Sequence, residues 1–148
     1  MSGEGTVEMT GTEIGRFLET NGFGVLSLAA TERPYAIPVS YAYDETRGEF
    51  LLRLGHLDTS EKDTFLEEST PARLVVFDGA AGPRSVICDG ELTKLEKADL
   101  SPHRIEVLGA GETPAFGIWE ADKERTDVSV HCLQETELSG RKAVSAGD

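Results

Sequence analysis

The stretch Tyr35-Ala36-Ile37-Pro38-Val39-Ser40-Tyr41-Ala42-Tyr43 alternates without a break. Tyr35, Ile37, Val39, Tyr41 and Tyr43 point one way and Ala36, Pro38, Ser40 and Ala42 the other, a period of two that belongs to a strand and not to a helix. One face is bulky and the other is lined with small groups. Pro38 has no backbone N–H, so its place in mid-strand argues for an edge, a bulge, or a point where something other than a neighbouring strand approaches the backbone; a ligand is one such visitor.

The segments around this strand carry their own signals. Asp44-Glu45-Thr46-Arg47-Gly48 is a turn and Glu49-Phe50-Leu51-Leu52-Arg53-Leu54 a returning strand, so the two runs form a hairpin. Upstream, Ile14, Phe17 and Leu18 recur at helical spacing after Thr10 and Thr12, either of which is a suitable N-cap, and Asn21-Gly22 ends that helix. Phe23 to Ala29 reads as a strand. Downstream, Ser60 or Thr59 caps a helix start rich in acids, Ala72 to Phe77 is a strand, and Arg84–Asp89 and Glu91–Leu95 read as two more with Gly90 as a bulge or tight bend between them. Ser101-Pro102 opens a helix through Ile105, Val107 and Leu108. Val128 to Leu133 is the last clear strand, and the tail from Ser139 is expected to fray. Six or seven strands with short helices between them predict a mainly β (α+β) fold, a small antiparallel barrel occupying residues 9–141 with flexible ends at 1–8 and 142–148.

Charge narrows the function. Against 14 Lys and Arg stand 27 Asp and Glu, a formal net charge of -13 on 148 residues. Such a body repels phosphate backbones and anionic lipid, which argues against nucleic-acid and membrane partners. The acids, among them Glu45, Glu49, Asp58, Glu61 and Glu120, are spread along the chain and suggest a dispersed acidic surface. Such surfaces resemble those of salt-adapted cytoplasmic proteins, and an ordinary solvated acidic face is the other reading. No run approaches the roughly 20 apolar residues of a membrane span, and Met1-Ser2-Gly3-Glu4-Gly5 lacks the features of a signal peptide, so a cytoplasmic protein is expected. Cys88 and Cys132 lie in apolar runs and read as buried free thiols. His56, His103 and His131 show no metal-ligand spacing, and no nucleophile elbow or phosphate loop is present.

The order of these pieces resembles the pyridoxamine 5'-phosphate oxidase-like superfamily of FMN-binding split barrels, from about Thr12 to Arg141. The resemblance is carried by Gly24-Val25-Leu26, by Pro34-Tyr35-Ala36-Ile37-Pro38-Val39-Ser40-Tyr41-Ala42-Tyr43-Asp44, by Ser60-Glu61-Lys62 at a helix start, by Arg84 to Glu91, and by the closing Leu138-Ser139-Gly140-Arg141. It implies a homodimeric FMN-dependent oxidoreductase acting on a small molecule, with the cofactor between two subunits. A barrel that binds the deazaflavin F420 is the near alternative; a non-catalytic flavin binder or a cofactor-free dimeric scaffold is the distant one. By the same resemblance Pro38, Val39 and Ser40 run along the isoalloxazine ring, and Ser85 and Trp119 approach it from the partner. A phosphate dianion needs cationic donors and oriented N–H groups, which Ser60 and Lys62 at a helix start supply, with Arg53 as a second cation. Tyr41 and His56 are polar candidates for a substrate pocket. The family's basic residues on the second strand are replaced here by Ala36 and Tyr41, and its carboxy-terminal Arg-x-His by Val130-His131-Cys132. Vitamin B6 oxidation is therefore not implied.

Overall fold

The computed structural model describes residues 5–28, 35–56, 70–79, 82–110 and 127–144. In chain order they form β1 (Thr6–Glu8), α1 (Gly11–Thr20), β2 (Phe23–Leu28), β3 (Tyr35–Asp44), β4 (Glu49–His56), β5 (Thr70–Asp78), β6 (Arg84–Lys94), a single 3-10 turn (Lys97–Asp99), α2 (Pro102–Ala110) and β7 (Asp127–Ala143). The strands follow one another as β1-β7-β4-β3-β2-β5-β6, all antiparallel, and β6 pairs back to β7. Six strands thus close an antiparallel barrel and β1 is added outside it.

Alternation fills the barrel. Leu26 and Leu28 of β2, Val39 and Tyr41 of β3, Phe50 and Leu52 of β4, Leu74 and Val76 of β5, Val86 and Cys88 of β6 and Leu133 of β7 are buried in one cluster. Helix α1 adds Ile14, Phe17 and Leu18 to it, its amphipathic face following from their spacing. Thr10 caps this helix in a capping box with Glu13, and the Glu13 carboxylate pairs with Lys142 on β7. Gly140 lets the helix approach. A Cβ there would lie 2.9 Å from both Ile14 Cγ1 and Met9 Sδ.

Four expectations need correction. Arg84–Lys94 is one strand, with the register shift at Asp89/Gly90 absorbed as a bulge; Gly90 is required because a Cβ would meet the Gln134 carbonyl oxygen at 2.1 Å. The last strand does not stop at Leu133 or fray at Ser139. It runs to Ala143, because β4 backs its first half and β6 and β1 its second. Residues 6–8 and 142–143, placed outside the domain as flexible ends, pair with β7 and with β1 and β6. Finally, Glu49 is not a surface acid: it is 2% exposed.

Helix α2 causes that burial. It lies over the outward side chains of β4 and β7, where Leu51, Leu108 and Cys132 make a second small apolar cluster. Ser101 Oγ accepts from the Arg104 N–H at the helix start. Both Cys88 and Cys132 are free and buried, Cys88 inside the barrel and Cys132 beneath α2. Among the described residues no helix is long and apolar enough to cross a membrane.

Candidate functional site

β3 and β4 run together only part of the way. Their ladder extends from Asp44 opposite Glu49 to Ser40 opposite Arg53 and ends there. Among the described residues, Tyr35 to Val39 pair with β2 alone and Leu54 to His56 with β7 alone. The barrel wall therefore parts between these two strands. Pro38 stands on the β3 side of the gap, exposed and paired only with Val25 of β2; its missing N–H reads as the sequence suggested, at an edge.

The residues expected along a ring system gather here. Pro38 and Ser40 point outward and Val39 inward into the core, and Ser40 is 2% exposed where Val39 is 0%. Arg53 is the cross-strand neighbour of Ser40 at the last rung. Its guanidinium, however, is engaged: Nη2 donates to the Leu108 carbonyl oxygen at 2.9 Å, in the last turn of α2. Helix carbonyls there lack intrahelical partners, and a cation is favoured by the helix dipole. Ser85 lies on β6, which is separated from β3 by β2 and β5, beside Phe77 and Arg141. It does not reach the gap within one chain. Ser60, Lys62 and Trp119 lie outside the described residues, as does the side chain of His56.

Tyr41 is a structural residue. Its hydroxyl donates to the Leu18 carbonyl oxygen at 2.9 Å, and its ring meets Phe50 edge-on, with centroids 5.5 Å apart. Burial pushes the phenol above its ordinary range. The same ring lines a cavity of about 680 Å³ between the end of α1 and α2, with Phe23 and Val107 on its walls.

Sequence reasoning missed a polar cluster at the closed end of the β3–β4 pair. Arg104 of α2 grips Glu49 through Nε and Nη2, both at 3.1 Å, and Cys132 Sγ donates to the same carboxylate at 3.3 Å. Beside it, His103 Nε2 and Asp44 Oδ2 are 2.7 Å apart. Burial alone would raise the Glu49 pKa, but the Arg104 and Cys132 hydrogen bonds and the Arg104 charge hold it below the usual carboxylate range. Burial, and after it the Glu49 charge, pushes the Cys132 thiol up to about 12, which makes it inert rather than nucleophilic. The only local signal was the helix start at Ser101-Pro102, which places His103 and Arg104 in one first turn.

A closed barrel parted at one seam, with helices at one end and on one face, matches a known pattern. The family model for pyridoxamine 5'-phosphate oxidase covers residues 10–142. The chain belongs to the pyridoxamine 5'-phosphate oxidase-like family. Solved structures of this fold include the FAD binding protein from Mycobacterium smegmatis, 15% identical with a TM-score of 0.67, covering 94% of this chain and 100% of that one. An FAD-binding protein from Mesorhizobium loti is 18% identical, with a TM-score of 0.62 and coverage of 94% and 99%. A Clostridium acetobutylicum protein of the pyridoxinephosphate oxidase family, related to a general stress protein, is 10% identical, with a TM-score of 0.64 and coverage of 88% and 87%. At these identities the likeness shows the split-barrel fold. No curated protein matches the chain.

Proposed function

We propose that this family member is a flavin-dependent oxidoreductase that seats FMN with one ring edge in the gap between β3 and β4. The observation that carries the reading is the parting of those strands after Ser40 and Arg53, which leaves the backbone of Pro38 without a strand neighbour on that side among the described residues. A flavin is flat, apolar on its faces and polar along one edge, so small outward groups such as Ala36 and Pro38 and a strand edge suit it. Bound flavin would supply two-electron transfer, and the chain's part is to hold and orient it. Lys62 and Ser60 follow β4 in sequence and are the proposed phosphate donors. No residue is assigned as a catalytic acid or base.

The proposed partner is a second copy of the chain. Pro38, Val25, Val75 and Ile87 stand opposite one another in register across β3, β2, β5 and β6, all on the outward parity. Phe23 and Phe77, two residues further along β2 and β5, share that face and are 47% and 68% exposed. An exposed apolar row of this kind marks an interface. Because Pro38 belongs both to the row and to the gap, a second copy on this face would also cover the ring.

Titration with FMN, FAD and F420, alongside sedimentation, tests both points. About one FMN per chain in a dimer supports the reading. Preference for F420 moves it to the deazaflavin alternative, and a monomer that binds none of the three removes it. Phe77→Asp should give a monomer with weakened flavin binding.

A further inference from the structure

We infer that the two-fold axis of the dimer runs along the line between β2 and β5, so that Phe23 of each chain packs on Phe77 of the other. The inference rests on the second-copy reading above and does not depend on which ligand is bound.

The outward face of β3, β2, β5 and β6 reads nearly the same from either side. Ser40 stands opposite Phe23 on β2, and Phe77 opposite Ser85 on β6. One row across the four strands is thus Ser, Phe, Phe, Ser. The next row is Pro38, Val25, Val75 and Ile87, apolar throughout and with the same residue twice at its centre. Both rows have their mirror line between β2 and β5. An isologous interface sets each residue against its counterpart across the axis, and an axis on this line sets like on like. Two facing sheets pack with their strands nearly aligned, which an axis parallel to the strands provides. An axis turned across the strands, along the Val25 and Val75 rung, would instead lay Phe23 and Phe77 on Ser27 and Arg73 of the partner subunit, the rung two residues away. That arrangement covers polar groups with rings that offer them no hydrogen bond.

Charge also favours a second copy here. The chain carries -13, and two such bodies repel each other. In the two rows above and the one that follows, from Ala36 through Ser27 to Arg73 and Asp89, the only charged residues are the last two. They neutralise each other: Arg73 Nε and Nη2 donate to the two Asp89 carboxylate oxygens at 2.6 and 2.9 Å. A face of net charge zero on an acidic chain is where a copy of that chain meets least repulsion. The stacked or edge-on contact of two aromatic rings then adds to the apolar area removed from water.

A charge exchange between chains tests the pairing. Phe23→Asp and Phe77→Lys each set a charge on a ring of the partner twice per dimer, and each alone should sediment as a folded monomer where the wild type is a dimer. Mixed, they can form a heterodimer in which one contact is Asp on Lys and the other Phe on Phe, so the mixture should regain the dimer. Phe23→Lys mixed with Phe77→Lys brings Lys to Lys and should stay monomeric. Single variants that remain dimeric, or an opposite-charge mixture that stays monomeric, overturn the inference.

Cross-linking locates the axis without a destabilising charge. With strands about 4.8 Å apart, the axis separates Val75 from its copy by about 5 Å along the sheet and Ile87 from its copy by about 14 Å, across facing sheets about 10 Å apart. A bismaleimide long enough to bridge facing sheets, but not the longer diagonal, should join Val75→Cys chains and leave Ile87→Cys chains unjoined. Cys88 and Cys132 are buried, so the wild type is the blank. A link at residue 87, or none at residue 75, overturns the inference. A wild-type monomer removes the second-copy reading and the axis together; a wild-type dimer without the rescue removes the axis alone.

Discussion

The two ends of the β3–β4 pair are built from the same two strands and hold opposite properties. At the hairpin end the ladder is complete, α2 covers the outer face, and a carboxylate that is 2% exposed is gripped by an arginine from the helix. At the other end the β3–β4 ladder among the described residues stops at Ser40 and Arg53. One strand pair is therefore sealed by polar side chains at one end and parted at the other, while β3 stays paired with β2 and β4 with β7. The sealed end contributes stability, the parted end is the proposed seat of the ligand, and substitutions at the two ends should separate these effects.

The largest effect belongs to the sealed end. Arg104→Met leaves Glu49 buried without its cation, and breaking a buried pair in this way costs about 3–5 kcal/mol, measured as a fall in the urea midpoint. Arg104→Met with Glu49→Leu should recover much of the loss, because no charge is then stranded. Flavin affinity of the folded fraction should be unchanged; a parallel loss would join the two ends into one unit.

Next comes Lys62, the proposed phosphate donor. A charge-assisted contact to phosphate contributes about 1.5–3 kcal/mol, so Lys62→Ala should weaken FMN binding roughly 10- to 150-fold while leaving riboflavin binding and stability alone. Equal weakening of both ligands would remove Lys62 as the phosphate donor. Arg53 sits at the boundary. Arg53→Met removes its bond to the Leu108 carbonyl and should lower stability by about 1–2 kcal/mol. If FMN affinity falls as well and riboflavin affinity does not, Arg53 also serves the phosphate; if neither changes, it is a helix cap.

Acid should act on the sealed end first. The Glu49 pKa is depressed in the folded chain, so the stability it contributes is present above its unfolded value and is lost as pH falls through the folded one. Urea midpoints taken from neutral pH downward should decline below the ordinary carboxylate range, and the decline should be shallower in Glu49→Gln. Salt gives the smallest effect. With a net charge of -13, raising potassium chloride from about 0.1 to 2 M shortens the screening length from roughly 10 Å to under 3 Å and should raise the melting temperature modestly. No gain would mean that the acidic surface carries no salt adaptation.

Local chemistry explains which features were legible in the sequence. A threonine cap on α1, the α1 face, the two-residue period of β3 and the Asp44 to Gly48 turn are each decided within a few residues, and the structure holds them, with Thr10 rather than Thr12 as the cap. The ordered motifs from Gly24 to Arg141 were enough to name the family. Burial of Glu49 was not legible, because its arginine comes 55 residues later in the chain and an acid opening a strand looks the same with or without a helix above it. The length of β7 was hidden for a similar reason. Gln134 to Arg141 is polar, and only its neighbours β6 and β1 make it a strand.

By itself, then, the sequence determined most of the elements, their periodicity and the place of a proline in mid-strand, since these depend on dihedral preference and side-chain spacing along a short stretch of chain. The tertiary structure alone decided which strand faces that proline, and that Arg53 bonds to a helix carbonyl while Arg104 reaches a buried carboxylate. Those outcomes require partners brought together from distant parts of the chain, and a hydrogen bond or an ion pair has no energy until both of its ends are in place.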